Sequence, residues 1–297
     1  MQNSIVSSFE SMTGLPEYFA YAVVFAFGAC IGSFLNVVIY RVPNEQSVVF
    51  PNSACPKCKK PIALYDNIPV ISWLILRAKC RNCDQPIHWR YPAVELLTAL
   101  VFLLVYSQVG FSAFLPVALA FVSTMIALIF IDSEHMILPN VITYPLFVFA
   151  LLVRVIYPVV FGTSYFSDTL YAPLNSIAGP PWLASLAGAI LGALVGGGSL
   201  WLVGEAWKRF RGVDAMGLGD VKMMLGVGAL LGWRLAILTI FLGAFSGAVI
   251  GGIVVLRQKD KDLQTQIPFG IFLGIGAILS LLFGERMIAW YLGQFVR

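Results

Sequence analysis

The chain has 297 residues, of which 59% are hydrophobic and only 11% charged, and its mean hydropathy is +0.85. Soluble domains carry about 25% charged residues, so a water-soluble core is excluded and lipid is the expected solvent. The formal charge of +4 is too small to imply nucleic-acid binding; where the positive residues sit matters more than their sum.

Taken in chain order, the first apolar run extends from Tyr18 to about Tyr40. It is too long for a signal-peptide core and no basic segment precedes it, so a retained transmembrane helix is expected. Further runs able to cross a bilayer, which takes about 20 residues, fall at 94–109, 113–131, 138–161, 182–206, 219–232, 234–256 and 268–284. The expected fold is therefore an all-α polytopic membrane protein with about eight transmembrane helices. The second and sixth runs are short, and only Gly232-Trp233-Arg234 divides the sixth from the seventh. Gly196-Gly197-Gly198 and the spacing Gly243/Gly247/Gly251 read as small-residue faces for close helix packing. No repeat of fixed period is expected. Three regions follow: residues 1–40 with the first span, a loop over 41–93, and a membrane core over 94–297.

The loop is polar, Pro-rich and basic, with Arg41, Lys57, Lys59, Lys60, Arg77, Lys79, Arg81 and Arg90. Two other basic clusters are Lys208/Arg209/Arg211 and Arg257/Lys259/Lys261, whereas 162–181 has no Lys or Arg. With eight alternating spans all three clusters share one side. The positive-inside rule makes that side cytoplasmic and puts both termini outside.

Within the loop, Cys55-x-x-Cys58 and Cys80-x-x-Cys83 are two knuckles of the kind that present four thiolates to one tetrahedral zinc. Neighbouring lysines and arginines favour the thiolate form. Disulfides conflict with a reducing cytoplasmic side; an iron–sulfur cluster is the other option. Four protein ligands leave no open position, so the expected role is structural. Cys30, in the first span, reads as a small packing residue, and His88 is not needed as a ligand.

Asp132 ends the third span and Asp220 opens the sixth, in Gly217-Leu218-Gly219-Asp220-Val221-Lys222. The topology puts both at the cytoplasmic membrane edge, where an ionisable group is costly enough to imply a role. Two carboxyl groups in hydrogen-bonding reach share one proton: the ionised partner takes a proton from water while the protonated one polarises a scissile carbonyl. Gly217 and Gly219 are expected to let a substrate backbone approach and to permit positive φ. Pro268-Phe269-Gly270 adds a third irregular element on the same side. A lone Asp at a helix end is more often an anchor or cap. The conjunction is what points to catalysis.

Together these residues resemble the bacterial type IV prepilin peptidases, GxGD intramembrane aspartyl proteases. The ordered set begins with Gly32-Ser33-Phe34-Leu35-Asn36-Val37-Val38-Ile39-Tyr40-Arg41 and the cysteine pairs, which enclose Asp66-Asn67-Ile68-Pro69-Val70-Ile71-Ser72-Trp73-Leu74. Arg90-Tyr91-Pro92-Ala93-Val94-Glu95, the two aspartate motifs and Pro268-Phe269-Gly270 complete it. The resemblance implies cleavage of the basic leader of prepilins and pseudopilins after a glycine, at the cytoplasmic face of the inner membrane. It also implies N-methylation of the new N-terminal residue with S-adenosylmethionine. It makes Asp132 and Asp220 the catalytic pair and Gly217, Gly219, Lys222, Pro268, Phe269 and Gly270 their support. The chain departs from the family pattern at Ala78 and Ile271. No strand followed by a Gly-rich loop marks a methyltransferase domain; Lys79 and Glu95 are the candidates there, against a solvated lysine and a helix-start glutamate. A different class of reading is a membrane scaffold or transporter whose aspartates line an ion pathway. A zinc protease is disfavoured, because the only histidines are His88 and His135.

Overall fold

The computed structural model describes residues 9–55, 57–161, 180–212, 216–257 and 268–295. Among them the regular structure is helical: α1 (Phe9–Thr13), α2 (Glu17–Arg41), α3 (Ile71–Ile75), α4 (Arg90–Val109), α5 (Leu115–His135), α6 (Asn140–Phe161), α7 (Pro181–Arg211), α8 (Leu218–Leu231), α9 (Trp233–Arg257) and α10 (Phe269–Phe295). Leu194–Gly198 forms a π-helical turn inside α7. Extended pairing among the described residues is limited to two isolated bridges in the cysteine loop.

Seven of these helices are long and apolar enough to cross a membrane, α2, α4–α7, α9 and α10. The chain is a multi-pass membrane protein. The sixth expected span, 219–232, is α8, whose 14 residues rise about 21 Å, short of the ~30 Å hydrocarbon core. The last span runs on to Phe295 instead of ending at 284, because Glu285 and Arg286 interrupt the apolar run but are good helix formers. Lys259, Lys261 and residues 162–179 lie outside the described residues.

Two compact units divide the chain, Met1–Ala127 and Leu128–Arg297. In the first, α2 lies along α4. A Cβ at Gly28 would stand 2.8 Å from Ala99 Cα, and one at Gly32 2.6 Å from Glu95 Cα, so these glycines set how closely the helices approach. Buried Asn36 donates through Nδ2 to the Tyr91 carbonyl at 3.0 Å. Cys30 is exposed and not packed as expected: Gly28, Ala29 and Gly32 form the buried stripe, and Cys30 points off it.

In the second unit α8 is the central helix, in contact with α6, α7, α9 and α10. It is buried nearly from end to end, including Met223, Met224 and Gly226–Leu231. Glycines permit this enclosure. A Cβ at Gly192 of α7 would lie 2.1 Å from the Gly228 carbonyl oxygen, and one at Gly226 2.7 Å from Leu146 Cγ of α6. The small-residue faces behave as expected at Gly196, Gly197 and Gly243, each with backbone or side chain of a neighbouring helix under 3.0 Å from a notional Cβ. α9 and α10 are joined by a buried hydrogen bond from Thr239 Oγ1 to Ser280 Oγ at 3.0 Å.

Candidate active site and metal centre

Asp132 lies in the last turn of α5 and Asp220 in the first turn of α8, and both are buried. They line one open pocket of roughly 290 Å³ with Met136, Ile137, Leu138, Asn140, Gly217, Gly219 and Lys222. Asp132 is held by a second helix: its Oδ2 accepts the backbone N–H of Ile271 at 3.1 Å, in the first turn of α10. The first N–H groups of a helix lack partners inside it and carry its positive dipole end, which suits a carboxylate.

Glycine is required at Gly270. A Cβ there would lie 2.7 Å from Asp132 Oδ2 and 3.0 Å from Leu138 Cδ1. Leu138 also fills the space beside Gly219, where a Cβ would stand 2.9 Å from Leu138 Cβ. One leucine thus packs on both glycines that flank the acids. The expected use of positive φ is corrected here. Gly217 has φ −69°, and Gly219 sits in the α8 helix, so neither adopts the left-handed region. They serve by lacking bulk. The residue with positive φ is Met136, at 53°, where the chain turns out of α5 towards α6.

Lys222 faces the same pocket. Its Nζ donates to Asn140 Oδ1 at 2.9 Å and lies 5.2 Å from the Tyr144 ring centroid, tying the start of α8 to the start of α6. Asn140, Leu138 and Met136 were missed from the sequence. Their only signal was position, in the short link after Asp132. Pro268 immediately precedes α10, and Phe269 is its first residue.

In the first unit the four cysteine sulfurs lie within 4.8 Å of one another and form a group able to hold a metal ion. Cys55 Sγ and Cys83 Sγ are 3.8 Å apart. Four thiolates at ~2.3 Å around tetrahedral zinc are separated by about 3.8 Å, so the donor set and spacing fit zinc. His88 is outside this cluster; its Nδ1 accepts the Arg90 N–H. The Cys58 backbone N–H, opposed by burial and helped by Lys57 and the neighbouring thiols, lowers the Cys55 thiol to about 6.

The two knuckles are the same structure repeated 25 residues apart. Cys55 N–H bonds to Lys60 O and Lys59 N–H to Cys55 O; Cys80 N–H bonds to Gln85 O and Asp84 N–H to Cys80 O. The bridges Ala54–Pro61 and Lys79–Pro86 close them, and Lys59 and Asp84 share positive φ, at 59° and 55°. The expectation of no repeat is therefore corrected locally. Its sequence trace is Cys-x-x-Cys-x-x-Pro-Ile at Cys55–Ile62 and Cys80–Ile87, too short for a domain-scale period.

Residues 66–73 pack the loop together. Asp66 forms a two-point ion pair with Arg81 at 2.6 and 2.8 Å, Ser72 Oγ donates to Tyr65 O, and Trp73 Nε1 donates to Ile87 O. Lys79 is exposed. Glu95 is buried and accepts the Val70 N–H at 2.7 Å, which ties the loop to α4 and gives Glu95 a structural partner.

Residues 26–109 match the Bacterial Peptidase A24 N-terminal domain, and residues 119–252 match the Type IV leader peptidase family. The chain is 35% identical to the prepilin leader peptidase/N-methyltransferase of Aeromonas hydrophila, over 95% of this chain and 97% of that one. This chain belongs to the type IV leader peptidase family. The relative of that name in Myxococcus xanthus is 39% identical over 86% of this chain and 70% of its own. The one in Pseudomonas aeruginosa is 34% identical over 89% and 91%. No solved structure matches the chain. The family matches cover both the cysteine loop and the two aspartates.

Proposed function

We propose that the chain cleaves the leader of type IV prepilins and related pseudopilins at the cytoplasmic face of the bacterial inner membrane and methylates the new N-terminal residue. The convergence of Asp132 and Asp220 on one open pocket carries this reading, joined to relatives that bear both activities in their names. Substrate enters as an extended strand beside Gly217 and Gly219. The ionised carboxylate takes a proton from the attacking water, and the protonated partner donates to the scissile carbonyl oxygen. The proton taken from water later passes to the leaving amine, and the tetrahedral diol returns a proton to the other carboxylate as the C–N bond breaks.

The basic residues of the cysteine loop and of the end of α7, Lys208, Arg209 and Arg211, support the cytoplasmic side for loop and aspartates. This requires α8 to pass through the membrane. Its enclosure by protein makes that feasible at 14 residues, since a surrounded helix need not match the lipid thickness. Cys55, Cys58, Cys80 and Cys83 would hold a structural zinc. S-adenosylmethionine, when bound, supplies the methyl group.

Purified full-length protein in proteoliposomes, given a prepilin and labelled S-adenosylmethionine, tests both activities through the product masses. Leader loss plus one methyl group is expected. An intact prepilin, or one cleaved equally well by a protein in which both Asp132 and Asp220 are Asn, would overturn the assignment. An aspartate-lined ion pathway would leave the prepilin uncut.

A further inference from the structure

We propose that α3, in the cysteine loop, is an interfacial membrane element whose apolar face lies among lipid headgroups and upper acyl chains. Ile71, Leu74 and Ile75 are 54%, 61% and 70% exposed. Their i, i+3, i+4 spacing puts them on one helix face. The opposite side is occupied: Ser72 is buried and bonded to Tyr65 and Ile68, and Trp73 bonds to Ile87. The outward face is therefore apolar because the polar groups are spent inside the loop.

The depth of α3 argues for lipid as the occupant. Val70, which caps α3, donates its N–H to Glu95 Oε2 at 2.7 Å. Glu95 is the sixth residue of α4, about 7.5 Å along the axis from Arg90 at 1.5 Å per residue. Glu95 also lies against α2, where a Cβ at Gly32 would stand 2.6 Å from its Cα. The loop is thus fastened beside the spans, below their cytoplasmic ends, and not above them. Headgroup zones are about 5–7 Å thick on each side of the hydrocarbon core, so this fastening brings α3 level with the boundary. Amphipathic interfacial helices bury their apolar faces to a comparable depth.

Charge follows the same geometry. Arg77 and Lys79, both exposed, come directly after the apolar face, where anionic headgroups would meet them. Trp89, 67% exposed just before α4, is at the level of an aromatic belt. The proposal rests on reading α2 and α4 as membrane spans and does not depend on the catalytic assignment.

The test is photo-crosslinking from p-benzoylphenylalanine at Ile75 in the full chain, in vesicles of phosphatidylethanolamine and phosphatidylglycerol, with the probe at exposed Lys60 as control. Monodisperse elution in detergent reports that the labelled protein is folded, and Leu74 is the second probe site if Ile75 impairs it. Roughly tenfold more lipid adduct at Ile75 than at Lys60 is expected for an interfacial position. Equal yields at the two sites, a crosslink to a second copy of the chain, or replacement of the lipid adduct by a prepilin adduct when prepilin is added would each overturn it.

Discussion

The carboxylate of Asp132 accepts a backbone N–H from Ile271, 139 residues away in the chain, at 3.1 Å. The first acid is thus steadied by the start of the last helix, whereas the second, Asp220, sits in the first turn of α8. If the pair works as acid and base, Asp132→Asn and Asp220→Asn should each cut the leader-cleavage rate by at least 10²–10⁴-fold, the usual contribution of a positioned acid or base. Single-turnover cleavage in proteoliposomes measures this. Wild-type rates in either variant would remove that residue from the dyad.

Gly270→Ala should damage the site while leaving the fold intact. The added Cβ meets Asp132 Oδ2 at 2.7 Å with Leu138 behind it, and such overpacking costs about 1–3 kcal/mol. Applied to the reacting geometry, that is roughly a 5–150-fold loss of kcat. Gly252→Ala, which has nothing within 4 Å of its Cβ, is the control. Equal rates for the two variants would show that Gly270 has no such role.

Asn140→Ala removes the acceptor of Lys222 Nζ. Hydrogen bonds to charged groups contribute about 1.5–3 kcal/mol, so a fall of about 10–100-fold in kcat/KM for cleavage is expected. Methylation of a pilin already freed of its leader should not change. A matching fall in methylation would mean that the substitution disturbs the whole protein.

One zinc per chain is expected by elemental analysis, and none after joint Cys58→Ser and Cys83→Ser substitution. Because each knuckle closes on its own backbone bonds, metal loss should speed amide exchange in 53–62 and 78–87 while α2 and α4 stay protected. Unchanged exchange with no metal in the wild type would end the zinc proposal.

The Arg81 guanidinium, hydrogen-bonded to Asp66, holds that carboxyl below the usual carboxylate range. The stabilisation from a depressed carboxylate is complete above the unfolded value near 3.9 and disappears as pH falls through the lower folded value. The loop should therefore keep this pair's contribution at neutral pH and lose it only in acid, and the loss should be modest because the pair is solvent-screened. Arg81→Gln should return the Asp66 titration, followed by carboxyl NMR, towards the ordinary value. No movement would dissolve the pairing.

Much of this was legible in the sequence, because the membrane writes its demands locally. A span needs a run of apolar residues in one stretch of chain, a thiolate knuckle needs two cysteines three positions apart, and basic residues mark a side by their position. The two aspartates stood out only in conjunction, at span ends expected on one membrane side, because either alone has a bland setting as a helix-end anchor or cap. The sequence by itself therefore determined the helices, the cysteine cluster and the candidate acids. What it could not determine was the company the acids keep. The bond from Ile271, the contact of Leu138 with both flanking glycines and the link of Lys222 to Asn140 join residues tens to over a hundred positions apart. No local pattern encodes them. Only the packing of α5, α6, α8 and α10 decided that Gly219 and Gly270 are there for their missing side chains, not for their backbone freedom.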